Sequence, residues 1–385
     1  MSARENGCVR KGYSQASDPT RAVEELYDSI YHPDASLGIF FCSAEFDIAA
    51  MEKELSARFK GLNLIGCTSN SEITPEGYLS GAITGFTLAQ PDFVAVSAPI
   101  CDLKDFSIAD GKGIVEGLRA RLDGKARDAE VDNTFAFLII DGLCMCEEIV
   151  VSSLYSALGT IPLFGASSGG DLDFRETHVY HDGGFRTDTA ILTLISTRHP
   201  FRLFTTDHFV SSGTKMVVTE ADPAARVVTE INAEPAGLEY ARLVGLEVDR
   251  LTPMMFASHP VVVKVGGRYY TRSIQKVNED GSLTFFCAID KGVVLTVATA
   301  TDILENLSQC LGQVRREIGP LQLVIGCDCV LRSLELEHRQ MKGEASRILG
   351  EHNVIGFATF GEEFGAMHVN QTFTGAAIGF AKRIE

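Results

Sequence analysis

The chain is 385 residues long and 45% hydrophobic, which suits two or three domains with sizeable cores and is too apolar for a disordered or fibrous protein. A formal net charge of −17, with no Lys/Arg cluster, argues against nucleic acid or an anionic membrane as the main partner, because phosphate binding relies on clustered positive charge. Residues 1–20 hold no apolar targeting segment and no later stretch approaches the ~18 apolar residues of a membrane span, so a cytoplasmic protein with free thiols is expected.

In chain order, residues 21–31 read as a short helix closed by His32-Pro33, since the residue before Pro is pushed out of the helical region. A unit then begins that occurs three times: apolar strand, helix, second strand, and a turn of the form Gly-x-x-(Ser/Thr)-x-x-(Asp/Glu), closed by a third apolar strand. Copy one has strands at 37–41, 62–65 and 83–89, with Ile48, Met51, Leu55, Phe59 and Leu62 on one helix face. Copy two has strands at 135–140, 161–164 and 190–195, with Val150, Leu154 and Leu158 between them. Copy three has strands at 321–325, 354–355 and 376–380, and a helical stripe of Leu334, His338, Met341, Ala345 and Ile348. A lone His on such a stripe reads as a satisfied core residue. Between copies two and three, Asp222-Pro223 looks like a helix start leading to Val227, Val228 and Ile231, and a second helix is expected over 235–244. From His259 the pattern turns antiparallel, with strands at 261–265, 269–277, 283–289 and 293–298.

The expected fold is α/β: repeated strand-helix-strand units forming mixed sheets, with an antiparallel β-meander inserted before the third repeat. Its divisions are an N-terminal extension over 1–34, an α/β domain over 35–230 and a second over 231–385 that carries the meander.

Turns at the C-terminal ends of strands are where open α/β sheets bind ligands. Ser69 and Glu72, Ser168 and Asp171, and Thr359 and Glu362 are therefore candidate ligand-binding residues, with Asp141 at the end of a first strand beside them. A capping box explains the (Ser/Thr)-x-x-(Asp/Glu) pattern poorly, because the segments that follow are not plainly helical. Cys144-x-Cys146 and Cys327-x-Cys329 occupy similar places in copies two and three, so four thiolates facing each other would suit zinc or an iron–sulfur cluster. The spacing is not the usual Cys-x-x-Cys, and buried thiols are the alternative. His178-x-x-His181 is a weak metal pattern, since strand residues three apart face opposite ways. No P-loop, His-Glu-x-x-His or dinucleotide fingerprint is present, and an enzyme is not expected.

The segments Gly66-Cys67-Thr68, Phe164 to Asp171, Arg272-Ser273-Ile274, Asp280 to Leu283 and Gly356 to Glu362 resemble the bacterial FIST sensory proteins, from about residue 35 to the C-terminus. Residues 259–263 and 367–372 look most like the nitric-oxide-sensing branch known as NosP. The resemblance implies a cytoplasmic signal-input protein that binds haem b and nitric oxide and regulates a separate histidine kinase, or a diguanylate cyclase or phosphodiesterase of cyclic-di-GMP. More broadly it implies a sensor of small ligands such as amino acids, with the paired hydroxyls and carboxylates holding the ligand. Without a Cys-x-x-Cys-His, haem would be held by packing and an axial ligand. The candidates are His178, His181, His208, His259 and His368, of which His368 is favoured because it lies just downstream of the third turn.

Overall fold

A strand that is apolar at most positions on both sides must bury both faces, and each repeat does so with its first strand: Ala35–Ser43, Thr134–Ile140 and Leu321–Cys329. These strands and their neighbours come from a computed structural model, which describes residues 7–126 and 131–381. The second strands Leu64–Ser69, Leu163–Ser167 and Val354–Thr359 pair parallel to the first. The closing strands Ile83–Ala89, Thr189–Thr197 and Phe373–Gly379 pair antiparallel on the other side. One face of each sheet meets a central core of Phe41, Phe137, Phe164, Ile325 and Phe357 from all three repeats. Helices such as Ile48–Arg58, Glu147–Leu158 and Ile303–Ile318 cover the other faces.

The repeats interlock. After each turn the chain leaves its own sheet and forms a hairpin on the edge of another. Glu72–Thr74 with Gly77–Leu79 extends the third repeat's sheet, Val179–His181 with Gly184–Arg186 extends the first, and Gly361–Phe364 with Met367–Val369 extends the second. Among the described residues each of these sheets has six strands in the same spatial order: an added strand, the closing, first and second strands, then the foreign hairpin. The added strands are Val9–Ser14, Phe93–Cys101 and Phe201–Thr206. Val9–Ser14 falls in the N-terminal extension, whose first six residues lie outside the described ones, and Phe201–Thr206 carries the first α/β division into the third sheet.

The segment between repeats two and three departs from expectation in two ways. Val227–Ile231 is a strand, not a helix. Asp222 does cap, accepting from the Ala225 amide at 3.1 Å, but it caps a tight turn, and the β-branched run that follows pairs with the long strand Phe209–Asp222. The four later runs are antiparallel, as expected, and two earlier strands join them in one nearly closed sheet. The spatial order is Arg268–Arg272, Val261–Val265, Val294–Ala300, Phe209–Asp222, Val227–Ile231, Leu283–Phe285 and Ile274–Val277, an antiparallel sheet enclosing its own core of Met216, Tyr240, Phe256 and Phe285. The helix Ala236–Val244 forms as expected. In repeat three the helix breaks at Gln340, which has φ of +58°, into Val330–His338 and Lys342–Glu351. The break turns His338 outward, so it is exposed instead of lying in the core. Among the described residues no helix is long and apolar enough to cross a membrane.

Candidate functional site

The three glycine turns do meet, at one end of the central core, but they meet by filling it. A Cβ on Gly169 would lie 2.7 Å from the Ala358 carbonyl and 3.1 Å from the Asn70 amide, so all three repeats touch at that residue. The Gly169 amide donates to the Thr68 carbonyl at 3.0 Å and the Ala358 amide to the Ser71 carbonyl at 2.8 Å. The leading glycines serve strand packing. A Cβ at Gly66, Gly165 or Gly356 would stand 2.5, 2.4 or 1.7 Å from the carbonyl oxygen of Phe40, Leu138 or Gly326 on the adjacent first strand.

The hydroxyl and carboxylate of each turn then become legible as a clasp. Ser69 Oγ lies 2.6 Å from Glu72 Oε1 and 3.1 Å from the Cys42 carbonyl, while Glu72 Oε2 accepts from the Ala82 amide at 3.1 Å. Thr359 bonds Glu362 and faces the Asp328 carbonyl, and Glu362 Oε2 accepts from the Thr372 amide at 3.2 Å and its hydroxyl at 2.7 Å. Burial pushes both carboxyls up to about 8. A protonated Glu72 donates to Ser69, freeing the single Ser69 proton for the Cys42 carbonyl, and Glu362 serves Thr359 the same way. In repeat two Asp171 is exposed, and Asp141 takes over. It accepts from the Asp188 amide at 2.5 Å, the Leu143 amide at 3.1 Å and the Thr177 hydroxyl, while Ser168 Oγ accepts from the Gly142 amide at 3.1 Å. Ala82, Asp188 and Thr372 each immediately precede a closing strand, so the carboxyls tie the return of each hairpin. Residues 165–169 also spell Gly-x-Ser-x-Gly, but Ser167 is a buried strand residue donating to Glu363 at 3.1 Å, not a nucleophile on a strand-to-helix turn.

The four paired cysteines do not come together as a metal cluster among the described residues. Cys144 Sγ is bonded to the Cys146 amide at 3.4 Å, Cys327 sits in the central core, and Cys329 packs with Leu331 and Phe360 in a separate apolar group. Burial raises the Cys327 and Cys329 thiols far above their ordinary range.

The five candidate histidines separate clearly. His208 is buried with both ring nitrogens engaged: Arg332 donates to Nδ1 at 2.9 Å and Nε2 donates to Glu335 at 2.8 Å. It is part of a charged chain running from Tyr78 through Asp328 and Arg332. His259 sets Nδ1 3.2 Å from the Met255 carbonyl, and His178 packs edge-on against Phe185. His368 is buried, with Nδ1 3.2 Å from Glu363 Oε1, and burial lowers it to about 4, so the ring is neutral. Among the described residues, His368 Nε2, Glu363 Oε2 and both amide atoms of Asn370 are buried without a hydrogen-bond partner. A cavity of about 650 Å³ lies between the two divisions of the chain, with Phe174, Phe286 and Phe360 on its walls and Glu147 and Arg226 among its polar lining. Arg226 donates to Glu147 at 2.5 Å, Glu148 at 2.8 Å and the Phe286 carbonyl at 2.6 Å.

His181 borders a different cavity, of about 590 Å³, in the groove between the helical layers of repeats one and two. Phe59, Leu62, Pro99 and Tyr180 line it, with Lys60, Arg121 and Lys125 as its cations. Asp182 lies 3.1 Å from His181 Nδ1, and burial lowers the imidazole below its ordinary value, which keeps it neutral. Sequence reasoning missed Arg226 because its segment read as helix. Glu147 and Glu148, adjacent acids opening an otherwise apolar helix, were the available signal.

The FIST N domain model matches residues 36–234 and the FIST C domain model residues 236–364. The chain belongs to the FIST family, whose domains are sensory, and it is a signal-input protein of that class. No curated protein matches it in sequence. Among solved structures it is similar to a cyanuric acid hydrolase from A. caulinodans, at 9% identity and a TM-score of 0.43 over 98% of this chain and 99% of that one. A second cyanuric acid hydrolase structure aligns at 10% identity and a TM-score of 0.38 over 96% and 98%.

Proposed function

We propose that this FIST-family protein is a non-catalytic sensor that binds haem b without covalent attachment, detects nitric oxide, and regulates a separate histidine kinase or cyclic-di-GMP enzyme. The observation that carries the haem reading is the His181 cavity. Its volume of about 590 Å³ lies within the roughly 300–1,000 Å³ usual for cofactor sites. Asp182 on Nδ1 orients the ring and leaves Nε2 as the ligand atom, the arrangement a metal-binding histidine needs. Phe59, Leu62, Pro99 and Tyr180 would pack the macrocycle, and Lys60, Arg121 and Lys125 would meet its propionates. When bound, the haem iron supplies the nitric oxide site. Lining residues Leu64 and Ser97 lie on sheets of repeats one and two, so occupancy acts on how those repeats sit together. An absorption spectrum of protein expressed with haem supply, before and after nitric oxide, tests the reading. The expected result is a Soret band that shifts with nitric oxide, is lost or displaced in His181→Ala, and is unchanged in His368→Ala. Colourless protein that takes up no added haem overturns it.

A second reading, a haem-free sensor of a small polar ligand such as an amino acid, is favoured by the cavity in front of Glu147 and Arg226. Glu147 and Arg226 lie close enough to the buried Glu363 and His368 to act on them electrostatically, so a ligand at this charged pair would be felt at groups that lack hydrogen-bond partners among the described residues. Thermal stabilisation of colourless protein by an amino acid, lost in Arg226→Met, would support it.

A further inference from the structure

We propose that Cys8, Asp92 and His199 form a zinc site at the end of the sheets opposite the three glycine turns. The site goes beyond the haem reading and rests on different residues. Cys8 Sγ lies 3.4 Å from His199 Nε2, which lies 3.7 Å from Asp92 Oδ2, and all three donor atoms are within 4.8 Å of one another. Zinc bonds of about 2.3 Å to sulfur and about 2.0–2.2 Å to nitrogen and oxygen give tetrahedral edges of about 3.4–3.6 Å. The Cys8–His199 and His199–Asp92 separations are close to that spacing, and the three donors come from segments distant in sequence.

The imidazole is held for the purpose. Its ring stacks on Phe93 at 5.1 Å and 6°. Nδ1 lies 3.1 Å from the Gly379 carbonyl, which can only accept, and 2.8 Å from Gln322 Nε2, which donates to the same carbonyl at 2.8 Å. In the tautomer that gives the Nδ1 proton to Gly379, the Nε2 lone pair faces Cys8 and Asp92, as a zinc-ligating histidine requires; in the other, Nδ1 accepts from Gln322, and zinc binding selects the first. A free thiol carries its proton at neutral pH. Zinc replaces that proton: the S–H bond breaks, a Zn–S bond forms with the same electron pair, and H⁺ leaves to solvent. Asp92 and His199 also border a cavity of about 900 Å³, so with three protein ligands a bound zinc would leave a position that water could fill.

The placement has a structural consequence. Cys8 precedes the added strand of the first sheet, Asp92 lies just before that of the second, and His199 just before that of the third. An ion there ties all three sheets at the end where the turns do not.

The test uses full-length, haem-free protein dialysed against a chelator, then titrated with zinc chloride against a chromophoric competitor and, in parallel, with cobalt(II). One strong site is expected, with release of about one proton per zinc, a raised melting temperature and a thiolate-to-cobalt charge-transfer band. Cys8→Ala is expected to abolish that band, and both Cys8→Ala and Asp92→Asn to weaken zinc binding by at least ~10-fold. Asp92→Asn keeps the shape of the side chain, so the comparison survives if the loss of Cys8 disturbs its strand. Wild-type protein without the cobalt band, or unchanged zinc affinity in both variants, overturns the site. Because haem is absent throughout, either result leaves the His181 reading to its own test.

Discussion

The second repeat differs from the first and third in where it keeps its acid. Repeats one and three place a glutamate six residues after the glycine, bury it, and share its proton with the hydroxyl three residues earlier. Repeat two has the same spelling, but its Asp171 is exposed and Asp141, from the end of the first strand, accepts the amide before the closing strand. A shorter side chain on a turn that runs on to Phe174 does not reach back, and a carboxylate on another element fills the role. The clasp is therefore conserved in geometry while its letters move. A motif can thus mark a fold requirement in two copies and an unused remnant in the third.

The glycine contact, common to all three repeats, gives the largest expected effect. Gly356→Ala would place a methyl 1.7 Å from the Gly326 carbonyl, where backbone faces backbone and nothing can yield. Failure to fold, or a loss above about 4 kcal/mol in urea denaturation, is expected. A variant of near wild-type stability would show that the glycine has another use.

The acids of repeats one and three should reveal themselves through pH. Their ordinary value of 4.5 applies when unfolded, and the folded value is about 8. Below 4.5 the proton is bound in both states. Between 4.5 and 8 only the folded state holds it, so the stability these groups contribute falls as pH rises and is lost as pH passes the folded value. Glu72→Gln and Glu362→Gln keep a neutral side chain at every pH. Each is expected to flatten the decline, gaining on the order of a few kcal/mol over wild type at pH 8 relative to pH 5. Parallel pH profiles for the variants and wild type would mean that these carboxyls are ionised in the fold.

The strands, the helical layer and the threefold unit were legible because apolar runs and helical spacing are local properties, as in Thr134–Ile140 and Ile48–Arg58. The hairpin exchange was not, because nothing in Glu72–Thr74 records that its partner is Gly356-Phe357, nearly three hundred residues away. The turn of Asp222 was misread as a helix start because the same carboxylate-to-amide bond serves both, and only the β-branched residues after it decide. Of the site features, His181 was in view from the start, but its cavity is built by Arg121 and Lys125 on another repeat's helix. Cys8, Asp92 and His199 carry no spacing signal at all, since the proximity of their donor atoms exists only once three sheets close on one another.

The sharpest test of the repeat comparison exchanges the two acids of repeat two. Asp141→Ala leaves the Asp188 and Leu143 amides and the Thr177 hydroxyl without their acceptor in a largely buried place, and a loss of about 2 kcal/mol is expected. Asp171→Ala removes an exposed side chain that takes no hydrogen bond among the described residues, and a change within about 0.5 kcal/mol is expected. Urea denaturation of the two variants decides between them. If Asp171→Ala is the costlier, the turn spelling tracks function in all three copies and the clasp account of repeat two fails. If Asp141→Ala is the costlier, the acid six residues after the glycine is dispensable wherever another carboxylate reaches the amide that opens the closing strand.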